Sequence, residues 1–141
     1  MLGLFKSKRD SRRARILVVD DAPEMVDALK YRLESYEYDV ISAADGKEGL
    51  AKVLSEKPDL VLLDIGMPVM DGYNVLAQMR GHPKLKDIPV IMVTAHFEAH
   101  EIAAASSYGI ADYVVKPFHH KDLMDRIADV LQKKGQVIHK R

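Results

Sequence analysis

The sequence predicts an α/β protein, a doubly wound five-stranded parallel sheet covered by helices on both faces. Three observations predict it. Short apolar runs recur five times along the 141 residues, and stretches of helical period separate them. The runs are apolar nearly throughout, as strands buried on both faces must be. Four of the five stop abruptly at a polar group: Asp20-Asp21, Asp64, Thr94 and Lys116. Regular alternation of strand and helix implies a parallel sheet. Right-handed crossovers then bring the carboxyl ends of all five strands to one edge.

Residues 1–14 lack core-like periodicity and read as a basic, flexible N-terminal arm. Leu2, Leu4 and Phe5 beside its basic run resemble a weak anchor for a membrane surface or a partner. The plainer reading is a solvated tail. Ile16 to Val19 is the first strand. Pro23 suits the first turn of a helix, with Asp21 or Ala22 just outside it. Met25, Leu29, Leu33 and Tyr36 carry that helix to about residue 36. Tyr38 to Ala43 is the second strand. Asp45 and Gly46 open the second helix, which turns Leu50, Val53 and Leu54 inward and stops at Pro58. Leu60 to Leu63 is the central strand. Gly72 starts a third helix through Val75, Leu76 and Met79, closed by Gly81-His82-Pro83. Ile88 to Val93 is the fourth strand, and residues 97–107 form an alanine-rich helix ending before Gly109. Asp112 to Val115 is the fifth strand. A last helix runs from about His120 to Lys133, with Leu123, Ile127, Val130 and Leu131 inward, and residues 134–141 are a basic tail. The folded domain is expected over residues 15–133.

Composition excludes several classes of function. There are no cysteines, hence no disulfides and no thiolate metal sites. That fits a reducing cytoplasm better than a stapled secreted domain. No apolar run is long enough to span a bilayer, and the apolar part of the N-terminus is too short for a secretion signal. The net charge of zero hides a segregation: residues 1–15 carry +5, residues 133–141 carry +4, and the segment between carries −9. An acidic body with basic ends is not a nucleic-acid-binding face, so no direct nucleic-acid contact is expected.

The chemistry centres on Leu60 to Gly72, LVLLDIGMPVMDG. Alone, Asp64 could be a loop aspartate capping the next turn. At the carboxyl edge of an open parallel sheet, where ligands bind, it joins Asp20 and Asp21. Gathered carboxylates repel one another. Mg²⁺, which takes oxygen ligands and keeps several waters, removes the conflict and leaves positions open for phosphoryl oxygens. A nearby lysine and hydroxyl can neutralise and hydrogen-bond those oxygens. A carboxylate can itself attack phosphorus to give an aspartyl phosphate.

The stretches ILVVDD, LVLLDIGMPVMDG, IPVIMVTA and ADYVVKPF together resemble the receiver domain of bacterial two-component response regulators, over about residues 15–133. The resemblance implies a flavodoxin-like fold with strand order 2-1-3-4-5. It implies that Asp64 is the phosphoacceptor, that Asp21 binds Mg²⁺ directly and Asp20 mainly through water, and that the Gly66 carbonyl is a further ligand. Thr94 would bond a phosphoryl oxygen and Lys116 would pair with the phosphoryl group. Ala95 resembles the small residue that keeps the site accessible, Lys116-Pro117 the family's cis peptide, and Tyr113 its switch aromatic. Two positions depart from the pattern. Gly66 stands where many receivers have a polar side chain, and His96, two residues after Thr94, is uncommon.

Competing readings remain for other residues. His96 and His100 are four apart, a spacing that can chelate zinc on a helix, but no third ligand is evident. His119-His120 reads as solvated or hydrogen-bonding, and Met67, Met70 and Met79 as packing residues. A flavin protein of the same architecture would need a phosphate loop where the two aspartates stand. A degenerate, phosphorylation-independent docking scaffold would need loss of an acceptor, metal or lysine residue, and none is lost. A hydrolase turning over free substrate fits poorly. The expectation is a single-domain response regulator, not an enzyme in the ordinary sense. The tail after Lys133 is too short to fold as an output domain. Its partners are a histidine kinase or histidine phosphotransfer protein and a downstream protein target. Phosphorylation draws Thr94 forward and Tyr113 inward, reshaping the face of the fourth helix, fifth strand and fifth helix for a partner or a phosphorylation-dependent dimer. The alternative output is anchoring by the N-terminal arm.

Overall fold

The computed structural model describes residues 13–140, with side chains described as far as Lys133. The expected N-terminal arm lies outside the described residues except for Arg13 and Ala14, and Ala14 is already tied down: its carbonyl accepts from the Asp39 amide at 2.9 Å. The elements are β1 (Arg15–Val19), α1 (Pro23–Ser35), β2 (Asp39–Ala43), α2 (Gly46–Glu56), β3 (Leu60–Leu63), α3 (Gly72–Arg80), β4 (Val90–Thr94), α4 (Ala99–Ser107), β5 (Asp112–Val115) and α5 (His120–Lys140). All neighbouring strands are parallel, in the order β2-β1-β3-β4-β5. The fold is the flavodoxin-like one expected.

Alternation along the strands divides the interior in two. Leu17, Val19, Val61, Leu63, Val90 and Met92 pack with Val53 of α2, Val75, Leu76 and Met79 of α3, and Ala105 of α4. Ile16, Val18, Leu60, Leu62, Ile91 and Val93 pack with Leu29 and Leu33 of α1 and with Leu123, Met124 and Ile127 of α5. The apolar run of β3 serves both cores, and each of its side chains is at most 1% exposed. Such burial is worth about 1.5–3 kcal/mol per leucine or valine.

Local chemistry sets the helix starts. Pro23 occupies the first turn of α1, and the Ala22 amide just before it donates to Asp20 Oδ1 at 2.9 Å. Asp45 caps α2 through the Glu48 amide, and Asp71 caps α3 through the Asn74 amide. Several boundaries differ from expectation. α4 begins at Ala99, not 97, because residues 96–98 hold an extended turn closed by Glu101. β4 begins after Pro89, which has no amide to donate, although its carbonyl accepts from Val61. The helical backbone of α5 continues past Lys133 to Lys140. Leu54, expected inward, is 43% exposed, since Leu50 and Val53 already define the inner stripe of α2. Tyr36 is the C-terminal cap of α1, and its ring is exposed.

Candidate phosphoryl-accepting site

Register brings Asp20 and Asp64 together. β1 and β3 pair Val19 with Leu63, so the next residue of each strand leaves the sheet beside the other. Ladder bonds continue one step past the strands: the Asp64 amide donates to the Val19 carbonyl and the Asp20 amide to the Ala43 carbonyl, both at 3.1 Å. Both carboxylates are buried, with Asp20 3% and Asp64 8% exposed. A buried carboxylate requires a charged partner and hydrogen bonds. Lys116 at the end of β5 supplies the charge, its Nζ lying 2.6 Å from Asp20 Oδ2 and 3.5 Å from Asp64 Oδ2. Burial alone would lower the Lys116 ammonium. The bond to Asp20 and the charges of Asp64 and Asp20 outweigh it, and the net shift is upward. The Gly66 amide approaches Asp64 Oδ1 at 3.4 Å.

Asp21 is exposed beside this pair. One carboxylate oxygen from each of Asp20, Asp21 and Asp64 lies within 4.8 Å of the other two. An all-oxygen donor set with one exposed member fits a hard divalent cation that retains waters. A cleft of about 210 Å³, lined by Asp20, Asp21, Pro23, Val26, Asp27 and residues 42–44, opens beside the cluster. A larger hollow of about 670 Å³ lies at the opposite edge of the sheet, against Ala14, Tyr38 and Leu131, and holds none of these groups.

Thr94 is fully buried at the end of β4. Its Oγ1 accepts from the His96 amide at 3.3 Å, and its carbonyl accepts from the Lys116 amide at 2.8 Å. The Lys116-Pro117 peptide is cis. Tyr113 lies one strand over, packed inward against the α2–α4 core, and its hydroxyl donates to the His96 carbonyl at 2.8 Å. Burial, then the nearby Tyr73, Glu101 and Asp64, push its phenol up to about 12. The His96 backbone therefore joins the expected hydroxyl and the expected switch aromatic. The ring of His96 pairs through Nδ1 with Glu101 Oε2. That bond, more than any other interaction, holds the Glu101 carboxyl below its usual range. Nε2 sits 2.9 Å from the point where a side chain on Gly66 would begin.

The structure thus gathers Asp20, Asp21, Asp64, Gly66, Thr94 and Lys116 at one edge, with Tyr113 linked to them through His96. His96 and His100 face different acids, His100 lying 3.6 Å from Glu98. The ligand atoms of Glu98, His100 and Glu101 also lie within 4.8 Å of one another, but Glu98 and His100 are exposed. Met67 and Met79 are buried, as packing residues are. Glu101 was not singled out from the sequence. The spacing of Glu98 and Glu101 at a helix start was the available signal.

A doubly wound sheet whose carboxyl edge carries buried aspartates, a hydroxyl and a lysine defines a class of flavodoxin-like α/β proteins with a phosphate-ready edge. The sequence model described as the response regulator receiver domain matches residues 16–128. The chain belongs to that family and is a receiver domain of two-component response regulators. It is 43% identical over 122 residues to a probable transcriptional regulator, ycf27, of Porphyridium aerugineum, covering 86% of this chain and 50% of that protein. It is 40% identical over 119 residues to the alkaline phosphatase synthesis transcriptional regulatory protein PhoP of Bacillus subtilis, covering 84% of this chain and 49% of that protein. The chain therefore spans about half the length of these relatives. A CheY-like response regulator receiver domain protein from Methanospirillum hungatei superposes with a TM-score of 0.83 at 32% identity, covering 88% of this chain and 98% of that one. Among the described residues, no helix is long and apolar enough to cross a membrane.

Proposed function

We propose that Asp64 accepts a phosphoryl group from the phosphohistidine of a histidine kinase or histidine phosphotransfer protein, and that the chain is a signalling switch, not a turnover enzyme. The observation that carries this is Lys116, whose ammonium bridges the buried Asp20 and Asp64 carboxylates. An Asp64 oxygen attacks phosphorus, the bond from phosphorus to the donor imidazole breaks, and its electron pair leaves with the imidazole. Lys116 and the Thr94 hydroxyl would hold the oxygens of the group transferred. Asp20, Asp21 and Asp64, with the Gly66 carbonyl, would hold Mg²⁺. The cation would neutralise charge on the transferring group. Acetyl phosphate with Mg²⁺ should add one phosphoryl group to the chain, and none to Asp64→Asn. Equal labelling of both would overturn the assignment. A chelator, or Asp21→Ala, should abolish labelling.

For output, we assign the face of α4, β5 and α5, which adjoins Thr94 and Tyr113. On α4 the exposed Ala103 and Ala104 are small, so little bulk there opposes a shift of that helix. The relatives carry names of transcriptional regulators. The −9 charge of residues 16–132 argues that any link to DNA runs through something other than this acidic body.

A further inference from the structure

We infer that Gly46, the first residue of α2, is a positioning residue for the acidic edge, setting how far the loop from β3 to α3 stands from the turn of Asp20 and Asp21. The inference rests on the reading of that edge as a Mg²⁺ and phosphoryl site. Three observations carry it. The first is a contact between main chains. Gly46 is buried. A Cβ there would lie 2.1 Å from the Met70 carbonyl oxygen and 2.9 Å from both the Met70 carbonyl carbon and Val75 Cγ2. The oxygen stands where any side chain at 46 would begin. Only glycine lets the start of α2 and the loop meet so closely.

The second observation is how that loop is closed. The Gly72 amide donates to the Ile65 carbonyl at 2.9 Å. Gly72 is also backed against the Asp64 carbonyl oxygen, 2.3 Å from where a Cβ on Gly72 would sit. The far end of the loop is therefore fixed. The Met70 amide donates to the Pro68 carbonyl at 2.7 Å, with Val69 between them at φ 70°, which makes residues 68–70 one tight turn. Pressure on Met70 moves that turn as a unit and, with Gly72 held, passes back towards Gly66. Gly66 carries the carbonyl assigned to the cation, and its amide approaches Asp64 Oδ1 at 3.4 Å.

The third observation lies on the other side of Gly46. Ala43 and Ala44 line the cleft shared with Asp20 and Asp21, and the Ala43 carbonyl accepts from the Asp20 amide at 3.1 Å. The turn that follows is stiff. The Asp45 carboxylate accepts from the Glu48 amide at 2.8 Å, and Glu48 Oε1 accepts from the Ala44 amide at 2.9 Å. The start of α2 thus spans both halves of the site. With a side chain at 46, either the loop yields and Gly66 shifts, or the start of α2 yields and the wall beside Asp20 and Asp21 shifts. Groups that orient metal ligands without touching the metal typically weigh about 10–100-fold in affinity.

The test takes Mg²⁺ affinity from the Mg²⁺ dependence of the amide spectrum, and beside it the Mg²⁺ concentration at which acetyl phosphate labels half-maximally. Gly46→Ala should weaken both by about tenfold or more. Arg80→Ala strips four carbonyls at the opposite edge of their donor. It should stay within about twofold of wild type in both measurements, since distant sites act independently. Loss of stability alone would not separate these two variants. Asp45→Ala removes the cap that stiffens the start of α2 and should weaken Mg²⁺ binding in the same direction. Asp45→Asn, which keeps an oxygen for the Glu48 amide, should stay near wild type. Affinity within about twofold of wild type in Gly46→Ala, or in Asp45→Ala where Gly46→Ala does not fold, would overturn the proposal and leave the reading of the edge standing. Failure of wild type to bind Mg²⁺ and to take label would overturn both.

Discussion

Lys116 is the residue on which the two buried carboxylates depend. Its ion pair with Asp20 leaves the lysine side chain 17% and the aspartate 4% exposed. Lys116→Met should cost on the order of 2–3 kcal/mol in Mg²⁺-free buffer, because the buried Asp20 side chain loses its ion-pair partner. Denaturant titration measures this, and the loss should shrink when Mg²⁺ is added. Tyr113 predicts an alkaline effect. Its folded-state pKa of about 12 lies above the ordinary phenol value of 10.0, so folding favours the neutral phenol. That contribution is complete below about pH 10 and is lost as pH rises towards 12. The upward shift of Lys116 acts in the same direction. Tyr113→Phe should flatten the fall of stability across that window, and it should remove one tyrosine that titrates near pH 12 from the ultraviolet titration. The residues of the edge were legible in the sequence for one reason. Asp20, Asp64, Thr94 and Lys116 each end an apolar run, and a polar group there has few structural explanations. The pairing of His96 with Glu101 was not legible, because it depends on how the turn at residues 96–98 folds back on α4.

At the scale of elements, the loops at the opposite edge hang on Arg80, the last residue of α3. Its guanidinium donates to the carbonyls of Tyr108, Gly109, Lys86 and Ile88 at 2.8–3.2 Å. It thereby joins the loop before β4 to the loop before β5. Burial lowers its pKa, opposed by Asp87. Arg80→Ala should destabilise the protein by about 2–3 kcal/mol and speed amide exchange in both loops. Arg80→Lys should rescue little, since one ammonium cannot reproduce the planar fork. No sequence pattern marks Arg80, since its four carbonyl partners come from the tertiary arrangement alone. The loop from β3 to α3 holds a second departure. Val69 sits at φ 70° and is 78% exposed. A β-branched residue is strained in that region. Val69→Asn should stabilise by about 1 kcal/mol, read as a higher denaturation midpoint at unchanged slope. Element types were predictable from period and length. Their ends were not, since Pro89 and the turn before Ala99 act through hydrogen bonds that periodicity does not register.

For the whole molecule, alternation of strand and helix made a parallel sheet legible, but strand order rested on the family resemblance. No local pattern states that β1 lies between β2 and β3. The acidic body should be stabilised by Mg²⁺ at the carboxyl edge, by about 1.4 kcal/mol at ten times the dissociation constant. Asp21→Ala should remove that gain, as thermal unfolding with and without the cation would record. The site also draws its members from the whole length of the chain. Asp20 and Lys116 bond at 2.6 Å although 96 residues separate them. A polypeptide leaving the ribosome presents Asp20 and Asp64 long before β5 is made. Until Lys116 emerges and docks, the proposed acceptor is an aspartate on an unfinished sheet, and a phosphoryl donor meets no competent site. On the proposed reading of Asp64, translation order would keep a phosphoryl group from being accepted by an incomplete molecule. Ribosome-bound chains arrested before β5 should take no label from acetyl phosphate, and chains released at full length should take it at once.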